Sequence, residues 1–272
     1  MSGREAAKRV LLSLKPSSSR RLHSTSKLSV ASGAKLVRGA ITIGSNSSVV
    51  VEAGAVIDCD ITIGENCEVV FGKDSSVVNT SFVVLNGAKV KLEDGAIIDS
   101  PTSPNSSIMV DNGTLLLGRR AHLMSTEVLV RFGGTLRIGK HTGVAYGSEM
   151  RCEEQVDIGS YGMISYRVCI YDTNTHSTDW RERRQRIEQC YPGGVAEAAR
   201  PETSPVFIGD DVWIGKEATI TKGARIGNRC IIGIRAVLGK DVIEDDSVVV
   251  AGKIRVIHRE GSKLAFKPNV ND

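Results

Sequence analysis

An aliphatic residue at every sixth position constrains this sequence more than any other feature. Between residues 206 and 240 these positions are Ile208, Ile214, Ile220, Ile226, Ile232 and Leu238. A glycine follows five of the six. An α-helix repeats every 3.6 residues and a strand alternates every two, so neither produces this period. Short strands that each turn a corner do, and three such sides of about 18 residues in total stack as the coils of a parallel β-helix.

The same period occurs earlier and weakens toward the N-terminus. It includes Ile138, Val144, Met150 and Val156, then shifts to Ile158, Ile164 and Ile170. We therefore predict regular hexapeptide coils over 136–256 and irregular coils of the same solenoid over 36–135, with a separate β domain as the alternative for the latter. We predict that residues 257–272 form a cap over the unpaired strand edges of the last coil.

Composition restricts the core and the partners. Of the 272 residues, 41% are hydrophobic but only 4% are aromatic, so the core must be aliphatic. The net charge of +4 comes without any recognisable nucleic-acid-binding module, which argues against nucleic acid as a partner. A mild basic excess suits an anionic small molecule or an acidic polymer equally well.

The first 35 residues are basic, rich in serine and poor in acids. We predict an N-terminal arm over 1–35 with a short helix near residues 6–15. A contact with a membrane surface and a targeting segment are the alternatives. No apolar run reaches the roughly 20 residues of a membrane span. We expect a cytoplasmic protein, with a peripheral contact to the inner face of the membrane or to a synthesis complex left open.

The six cysteines contain no C-x-x-C pair, which disfavours a zinc site. Without a secretory signal, an even count does not imply disulfides. We expect buried free thiols in a reducing cytoplasm.

The stretch CIYDTNTHSTDW, residues 169–180, ends the period on a histidine. His176 occupies the position six residues after Ile170, and residues 177–204 have no period. The chain therefore leaves the coil at His176. The excursion contains WRERRQRIEQC, which predicts a short helix with a pair between Glu182 and Arg186 at i, i+4.

Two segments carry a family likeness. The sequence VFIGDDVWIGKEATITKGARIGNRCIIGIRAVLGKDV, followed by VVVAGKIRVI, resembles the hexapeptide-repeat acyltransferases. SYRVCIYDTNTHS resembles the segment before the long loop of the sugar and polysaccharide O-acetyltransferases in that family. The likeness is specific over 136–256, generic over 36–135 and absent over 1–35. It implies an all-β, left-handed parallel β-helix with a protruding loop over 177–204. It also implies acetyl-CoA as co-substrate, no metal, and a homotrimer with active sites between subunits.

The chemistry of acetyl transfer to a hydroxyl requires a base for the alcohol and a donor for the oxyanion. The resemblance implies that His176 is the general base. A carboxylate or a carbonyl should hold the other nitrogen of its ring, and Asp172, Asn174 and Glu149 are the candidates. Glu149 and Trp180 are also candidates for acceptor binding, Trp180 by stacking on a sugar ring.

The resemblance further assigns cofactor contacts. The backbone N–H of Lys216 would contact the acetyl carbonyl, Trp213 would line the pantetheine groove, and the backbone of Ile234 would bind a pantetheine amide. Corner packing is the alternative for Trp213, and many relatives have a smaller residue at the position of Ile234. Lys240 and Arg255 would contact the 3′-phosphate, although this chain has AGKIRVI where relatives commonly have AGNPAKVI.

These observations predict an acetyl-CoA-dependent O-acetyltransferase of a sugar hydroxyl in a capsular or other surface polysaccharide. Acetylation of a nucleotide-linked amino sugar or a small molecule is one alternative, and a non-catalytic structural solenoid is another. His122, His141 and His176 lack the spacing of the zinc ligands found in a carbonic anhydrase of this fold, so we do not expect a metal.

Overall fold

The computed structural model describes residues 19–101, 106–190 and 200–252. In the order of the chain, the first strands are β1 (Arg20–Leu22), β2 (Lys27–Val30), β3 (Lys35–Leu36), β4 (Ile41–Ile43), β5 (Ser48–Val51), β6 (Val56–Asp58), β7 (Ile61–Ile63), β8 (Glu68–Phe71), β9 (Ser76–Val78) and β10 (Thr80–Leu85). They are followed by β11 (Lys89–Leu92), β12 (Ile97–Asp99), β13 (Ser106–Asp111), β14 (Thr114–Leu117), β15 (His122–Met124), β16 (Glu127–Val130), β17 (Thr135–Ile138), β18 (Gly143–Val144), β19 (Glu149–Cys152) and β20 (Gln155–Ile158). The remaining elements are β21 (Met163–Ile164), β22 (Cys169–Tyr171), helix α1 (Trp180–Cys190), β23 (Val206–Ile208), β24 (Trp213–Ile214), β25 (Thr219–Ile220), β26 (Arg225–Ile226), β27 (Ile231–Ile232), β28 (Val237–Leu238), β29 (Val242–Ile243) and β30 (Val248–Val249).

Every third strand belongs to the same parallel sheet. Sheet A runs from β1 to β28, sheet B from β2 to β29 and sheet C from β3 to β30, with ten strands in each. Each coil contributes one strand to each sheet, so the fold is the three-sided parallel β-helix that the six-residue period predicts, and it is consistent with the left-handed form. The sheets continue without a break from residue 20 to residue 249, so residues 36–135 belong to this solenoid rather than to a separate β domain.

The core is a column of inward aliphatic side chains. All thirteen residues of the two periodic runs are at most 4% exposed: Ile138, Val144, Met150, Val156, Ile158, Ile164, Ile170, Ile208, Ile214, Ile220, Ile226, Ile232 and Leu238. The largest buried rings are those of Phe71 and Phe82, whose centroids lie 5.6 Å apart. Burial of this column is the main favourable contribution to folding, because each aliphatic side chain removed from water contributes about 1.5–3 kcal/mol.

The length of a coil explains why the period fades toward the N-terminus. Ile220 pairs with Leu238, so a late coil takes 18 residues, or three sides of six. Ile41 pairs with Ile61, so an early coil takes 20. The extra residues shift the phase on every turn, and the inward positions cease to be six apart even though the sheets remain continuous.

The solenoid also begins earlier than the sequence indicated. Strands β1 and β2 lie in the sheets, within the segment 1–35 that was predicted to be an arm. Their sequences, RRL and KLSV, are largely polar and half-exposed or exposed, so they carry no six-residue signal. They are nevertheless held by backbone bonds to the next coil, such as Lys27 N–H to the Ser47 carbonyl at 2.8 Å. The predicted helix near residues 6–15 and the predicted cap over 257–272 lie outside the described residues.

The glycine that follows an inward residue is required by packing between coils. A Cβ on Gly139 would lie 2.5 Å from the carbonyl carbon of Gly159, and one on Gly159 would lie 2.5 Å from that of Gly209. Neither distance is compatible with a side chain. The repeated glycines therefore allow the corners between sheets B and C to stack backbone against backbone.

The described helix, α1, begins where Asp179 accepts the N–H of Arg181 at 2.8 Å, an N-cap contact. This confirms the short helix predicted in the excursion. None of its residues is buried. In the parts of the chain that the structure describes, no helix has the length and apolar character to cross a membrane.

The six cysteines are free thiols, as the sequence predicts, but they are not all buried. Cys59, Cys67, Cys152 and Cys230 are buried, whereas Cys169 and Cys190 are half-buried. Burial raises the pKa of Cys59 to about 12 and raises the pKa of Cys152 and Cys169 as well. Thiols with a raised pKa react slowly because the thiolate is the nucleophile.

We therefore expect Ellman's reagent to modify Cys190 first and Cys169 more slowly in the native protein. The four buried thiols should react only after unfolding in guanidinium chloride, since the reagent cannot reach them in the folded protein. Mass spectrometry of the adducts, together with peptide mapping, identifies the modified positions. Rapid native modification of four or more thiols would contradict this burial pattern.

Candidate active site

The excursion that follows sheet A is closed at its base. Thr173 and Thr203 form an antiparallel bridge where the chain leaves and returns. On either side of it, Ser204 N–H donates to the Asp172 carbonyl at 2.9 Å and Asn174 N–H donates to the Glu202 carbonyl at 3.0 Å. We call these six positions the neck. The neck fixes the point at which the excursion stands on the solenoid.

The carboxylate of Asp172 anchors the neck from inside. It is fully buried and accepts the backbone N–H groups of Glu153, Glu154 and Gln155 at 2.7–3.1 Å. Burial raises the pKa of this carboxyl, and the three N–H donors partly offset that rise. In the described residues Asp172 has no bond to the His176 ring, and its oxygens accept N–H groups of the neighbouring coil.

A second buried carboxylate supports the same base. Glu153 is 1% exposed and accepts the hydroxyl of Thr173 at 2.8 Å. The guanidinium of Arg131 pairs with its other oxygen through Nε at 3.1 Å and through Nη2. A buried carboxylate of this kind needs such partners, because an unpaired charge is costly to desolvate. No sequence pattern pointed to this cluster.

A strained turn presents His176. Thr175 has a φ of +61°, and His176 N–H donates to the Asn174 carbonyl at 2.7 Å, which closes a γ-turn. A positive φ is unfavourable for a β-branched residue, so this turn costs free energy and persists only because the neck holds it. The hydroxyl of Thr173 accepts Thr175 N–H at 3.0 Å and adds to that support. His176 is exposed and lies where the chain leaves the solenoid.

The imidazole contacts a guanidinium rather than a carboxylate. Arg186 Nη1 lies 3.3 Å from His176 Nδ1. Arginine can only donate, so Nδ1 must be the acceptor and the ring proton must sit on Nε2. Arg186 therefore bonds His176 instead of forming the predicted pair with Glu182. His176 and Arg186 both line a hollow of about 330 Å³ between the start of the excursion and helix α1.

The other predicted orienters lie elsewhere. The amide of Asn174 donates to Glu202 at 3.3 Å, and Glu202 pairs with Lys222 at 2.9 Å. Glu149, on sheet A, accepts Arg151 Nε at 2.7 Å. Glu149 also bonds Tyr171, and burial together with this bond raises the pKa of the tyrosine. Asn174 and Glu149 thus have partners other than the His176 ring.

Trp180 begins the helix and is half-exposed. Two guanidinium groups lie against its ring, Arg181 at 4.7 Å and Arg184 at 4.8 Å from the centroid. This cation–π arrangement holds an aromatic surface together with positive charge at the start of the helix, but none of these three residues lines the hollow at His176.

The predicted donor-side residues lie on another face. Trp213 projects from sheet C, half-exposed, with Nε1 3.4 Å from the Ser165 hydroxyl. The N–H of Lys216 has no acceptor among residues 19–101, 106–190 and 200–252. Ile234 is 60% exposed, and Lys240 is exposed with a φ of +56°. Arg255 lies outside the described residues.

A single chain does not bring His176 together with the donor-side residues. His176 follows a strand of sheet A, whereas Trp213 and Lys216 belong to sheet C and to the corner beyond it. No hydrogen bond or ring contact joins His176 to either of them in the described part of the chain. The residues that the structure describes also contain no group of three or more His, Cys, Asp or Glu side chains arranged to hold a metal.

Comparisons with known proteins agree with the repeat. Residues 205–240 match the family model described as Bacterial transferase hexapeptide (six repeats). No curated protein matches the chain. The solved structure of the polysialic acid O-acetyltransferase OatWY is similar at 15% identity and a TM-score of 0.42, over 90% of this chain and 95% of that one.

Two further solved structures are similar. The polySia-specific acetyltransferase NeuO is 15% identical with a TM-score of 0.36, over 93% of this chain and 85% of that one. A UDP-N-acetylglucosamine acyltransferase from Arabidopsis is 12% identical with a TM-score of 0.26, over 88% of this chain and 61% of that one. At such low identities and scores, these likenesses carry no argument about substrate or mechanism.

Proposed function

We propose that this hexapeptide-repeat protein is an acyltransferase that moves the acetyl group of acetyl-CoA to a sugar hydroxyl of a capsular or other surface polysaccharide. The observation that carries the proposal is the exposed imidazole of His176, held on a strained turn where the chain leaves the solenoid. Strain of this kind is concentrated at functional sites. The transferase family match over residues 205–240 supports the reaction class.

The donor-side residues fit an acetyl thioester. The half-exposed ring of Trp213 offers an apolar wall for a pantetheine chain. The N–H of Lys216, which no group in the described residues accepts, offers a donor for a carbonyl oxygen. The backbone N–H of Ile234 lies beside Gly215, whose missing side chain leaves it approachable. Lys240 supplies a cation for a phosphate. A bound thioester would supply an activated acetyl group and a good leaving group.

His176 acts as the base through Nδ1. In the free protein this nitrogen accepts Arg186, so the guanidinium must move before the base is available. An acceptor with a carboxylate would draw Arg186 away, because guanidinium–carboxylate pairs are stronger than the bond to a neutral imidazole. His176 Nδ1 then takes the hydroxyl proton as the sugar oxygen bonds the carbonyl carbon. The C–S bond breaks, and the thiolate recovers a proton from the imidazolium.

Two subunits complete the site in this proposal. Because His176 and Trp213 lie on different faces of one chain, a homotrimer would bring the base of one subunit against sheet C of its neighbour. The exposed apolar side chains of sheet C beyond Trp213, among them Ile231 and Val248, are the surface that such packing would cover.

A thiol-release assay with acetyl-CoA tests the proposal. The panel contains neutral, N-acetylated and carboxylated oligosaccharides, and amino sugars with their deaminated analogues. We expect thiol release that depends on a hydroxyl acceptor and a product that mild base hydrolyses, as an ester. A base-stable amide would favour the N-acetyltransferase. No turnover with any acceptor would favour a structural solenoid.

The role of Arg186 gives a separate prediction. Arg186→Ala should raise KM for a carboxylated acceptor roughly tenfold, the size of one charge-assisted hydrogen bond, while kcat is not lowered. KM for a neutral acceptor should not change. Steady-state kinetics with both acceptors measure this, with Arg225→Ala on sheet B as a control that should resemble wild type. An equal loss with neutral and carboxylated acceptors would contradict the assignment.

A further inference from the structure

A hollow on sheet C lies outside the site described above. Outward side chains of neighbouring strands form a row along this sheet, in the order Ser76, Ile97, His122, Gly143, Met163, Trp213, Ile231 and Val248. Gly143 interrupts the row between His122 and Met163. The interruption leaves a hollow of about 450 Å³.

The backbone does not require this glycine. Gly143 is not among the residues with a positive φ, and a Cβ built on it meets nothing within 4 Å. The corner glycines such as Gly139 differ, because a side chain there would collide with the next coil. Neither packing nor the backbone conformation prevents a side chain at Gly143. The lack of a side chain there therefore serves to open the hollow.

Aromatic rings wall the hollow on both sides. On one side the rings of His141 and Tyr161 stack at 5.1 Å with an interplanar angle of 4°. Both residues have a φ of +58°, which is costly for a bulky side chain. On the other side is Tyr166, whose ring lies 4.7 Å from that of Tyr146. The same corner has a positive φ in other coils, for example at Arg120 and Asp211, so the fold sets this conformation and the aromatic rings are particular to the hollow.

The hollow also contains a polar pair. His122 Nε2 lies 3.0 Å from Asp99 Oδ1, and both side chains are about one third exposed, at 33% and 31%. The carboxylate fixes the ring so that Nδ1 remains as the second polar atom. Within the part of the chain that the structure describes, no protein group bonds Nδ1. The hydroxyl of Ser165 lines the same hollow.

We propose that this hollow binds a sugar ring of the acceptor, at a distance from the hydroxyl that is acetylated. Aromatic faces suit the apolar face of a pyranose, and the His122–Asp99 pair and Ser165 suit its hydroxyls. Gly143 is two strands from Trp213, or about 10 Å at the usual strand spacing, so an oligosaccharide along the sheet reaches both. The identity of the ligand as acceptor rests on the proposed function, but binding itself requires no catalysis.

The test fills the hollow without disturbing the backbone. Gly143→Leu is compared with Ser76→Leu, which adds a similar side chain at the same register of sheet C three strands away. Binding of the mono- and tetrasaccharides of the panel is measured by saturation-transfer NMR and calorimetry. Tyr161→Asn gives an independent variant, since asparagine tolerates the positive φ while the ring is removed.

We expect Gly143→Leu and Tyr161→Asn to weaken tetrasaccharide binding at least tenfold and to leave monosaccharide turnover unchanged. Ser76→Leu should behave as wild type. If no oligosaccharide of the panel binds wild type, or all variants bind equally, the hollow is not a sugar site. A changed oligomeric mass with unchanged affinity would overturn the proposal in favour of a subunit contact. Transfer that persists in every variant would leave the proposed function intact, whereas wild type that binds but never transfers would refute the function alone.

Discussion

Replacing His176 with alanine is expected to lower kcat for acetyl transfer by roughly 10²- to 10⁴-fold, the usual contribution of a positioned general base. Without the imidazole, the γ-turn at Asn174, Thr175 and His176 has no group that can take the hydroxyl proton. KM for acetyl-CoA should change little, because the donor-side residues lie on sheet C. Thiol release with the best acceptor of the panel gives both constants.

Two further variants separate chemistry from structure. His176→Gln retains a group that can accept Arg186 but cannot act as a base, and it should be as inactive as alanine. His23→Asn changes an exposed histidine whose ring bonds only Thr25, and it should retain wild-type kinetics. If His176→Ala transferred acetyl at the wild-type rate, the proposed mechanism would be excluded.

The second large effect concerns stability. Asp172→Ala leaves the buried N–H of Glu153 and the partly buried N–H groups of Glu154 and Gln155 without an acceptor, which should lower the free energy of unfolding by about 3 kcal/mol. Chemical unfolding monitored by circular dichroism measures the loss. Asp157→Ala is the control, because this carboxylate faces solvent on sheet B and its pair with Arg137 is worth only about 0–1 kcal/mol.

The pH dependence of Asp172 has a definite sign. Burial raises its pKa in the folded state, so the folded protein binds this proton at a higher pH than the unfolded chain does. Its contribution to stability therefore grows as the pH falls through the folded pKa and is lost as the pH rises through it. Asp172→Asn should remove this dependence while it keeps one acceptor. A wild-type stability that fell more steeply on acidification than that of Asp172→Asn would contradict the raised pKa.

The sequence predicted the fold well where the coil length matched its period. Residues such as Ile208 and Ile214 could be assigned to the core because 18 residues make one coil, so every sixth position points inward. Around Ile41 and Ile61 the coil has 20 residues, and the period no longer marks the inward face. The early start at Arg20 was missed because the strands there are largely polar and are held by backbone bonds, with only Leu28 and Val30 of β2 packing against the core.

The sequence could locate the candidate site but could not predict the contacts between its residues. The interrupted period pointed to His176, since a repeat that stops is visible in one dimension. Its contact with Arg186 depends on how the helix folds back over the exit turn, and no local pattern encodes that. The partners of Asp172 were missed for a related reason: they are the amides of Glu153–Gln155 on the preceding coil, and that proximity follows from coil length.

The coils have a nearly constant height, so their number sets the length of the solenoid. Ten strands in sheet A correspond to nine steps, or about 43 Å at the usual spacing between strands. Each coil contacts mainly the coils above and below it, so whole turns can be gained or lost with little effect on the neck. The distance between the N-terminal end and the excursion is thereby adjustable in increments of about 4.8 Å, independently of the residues that carry the chemistry.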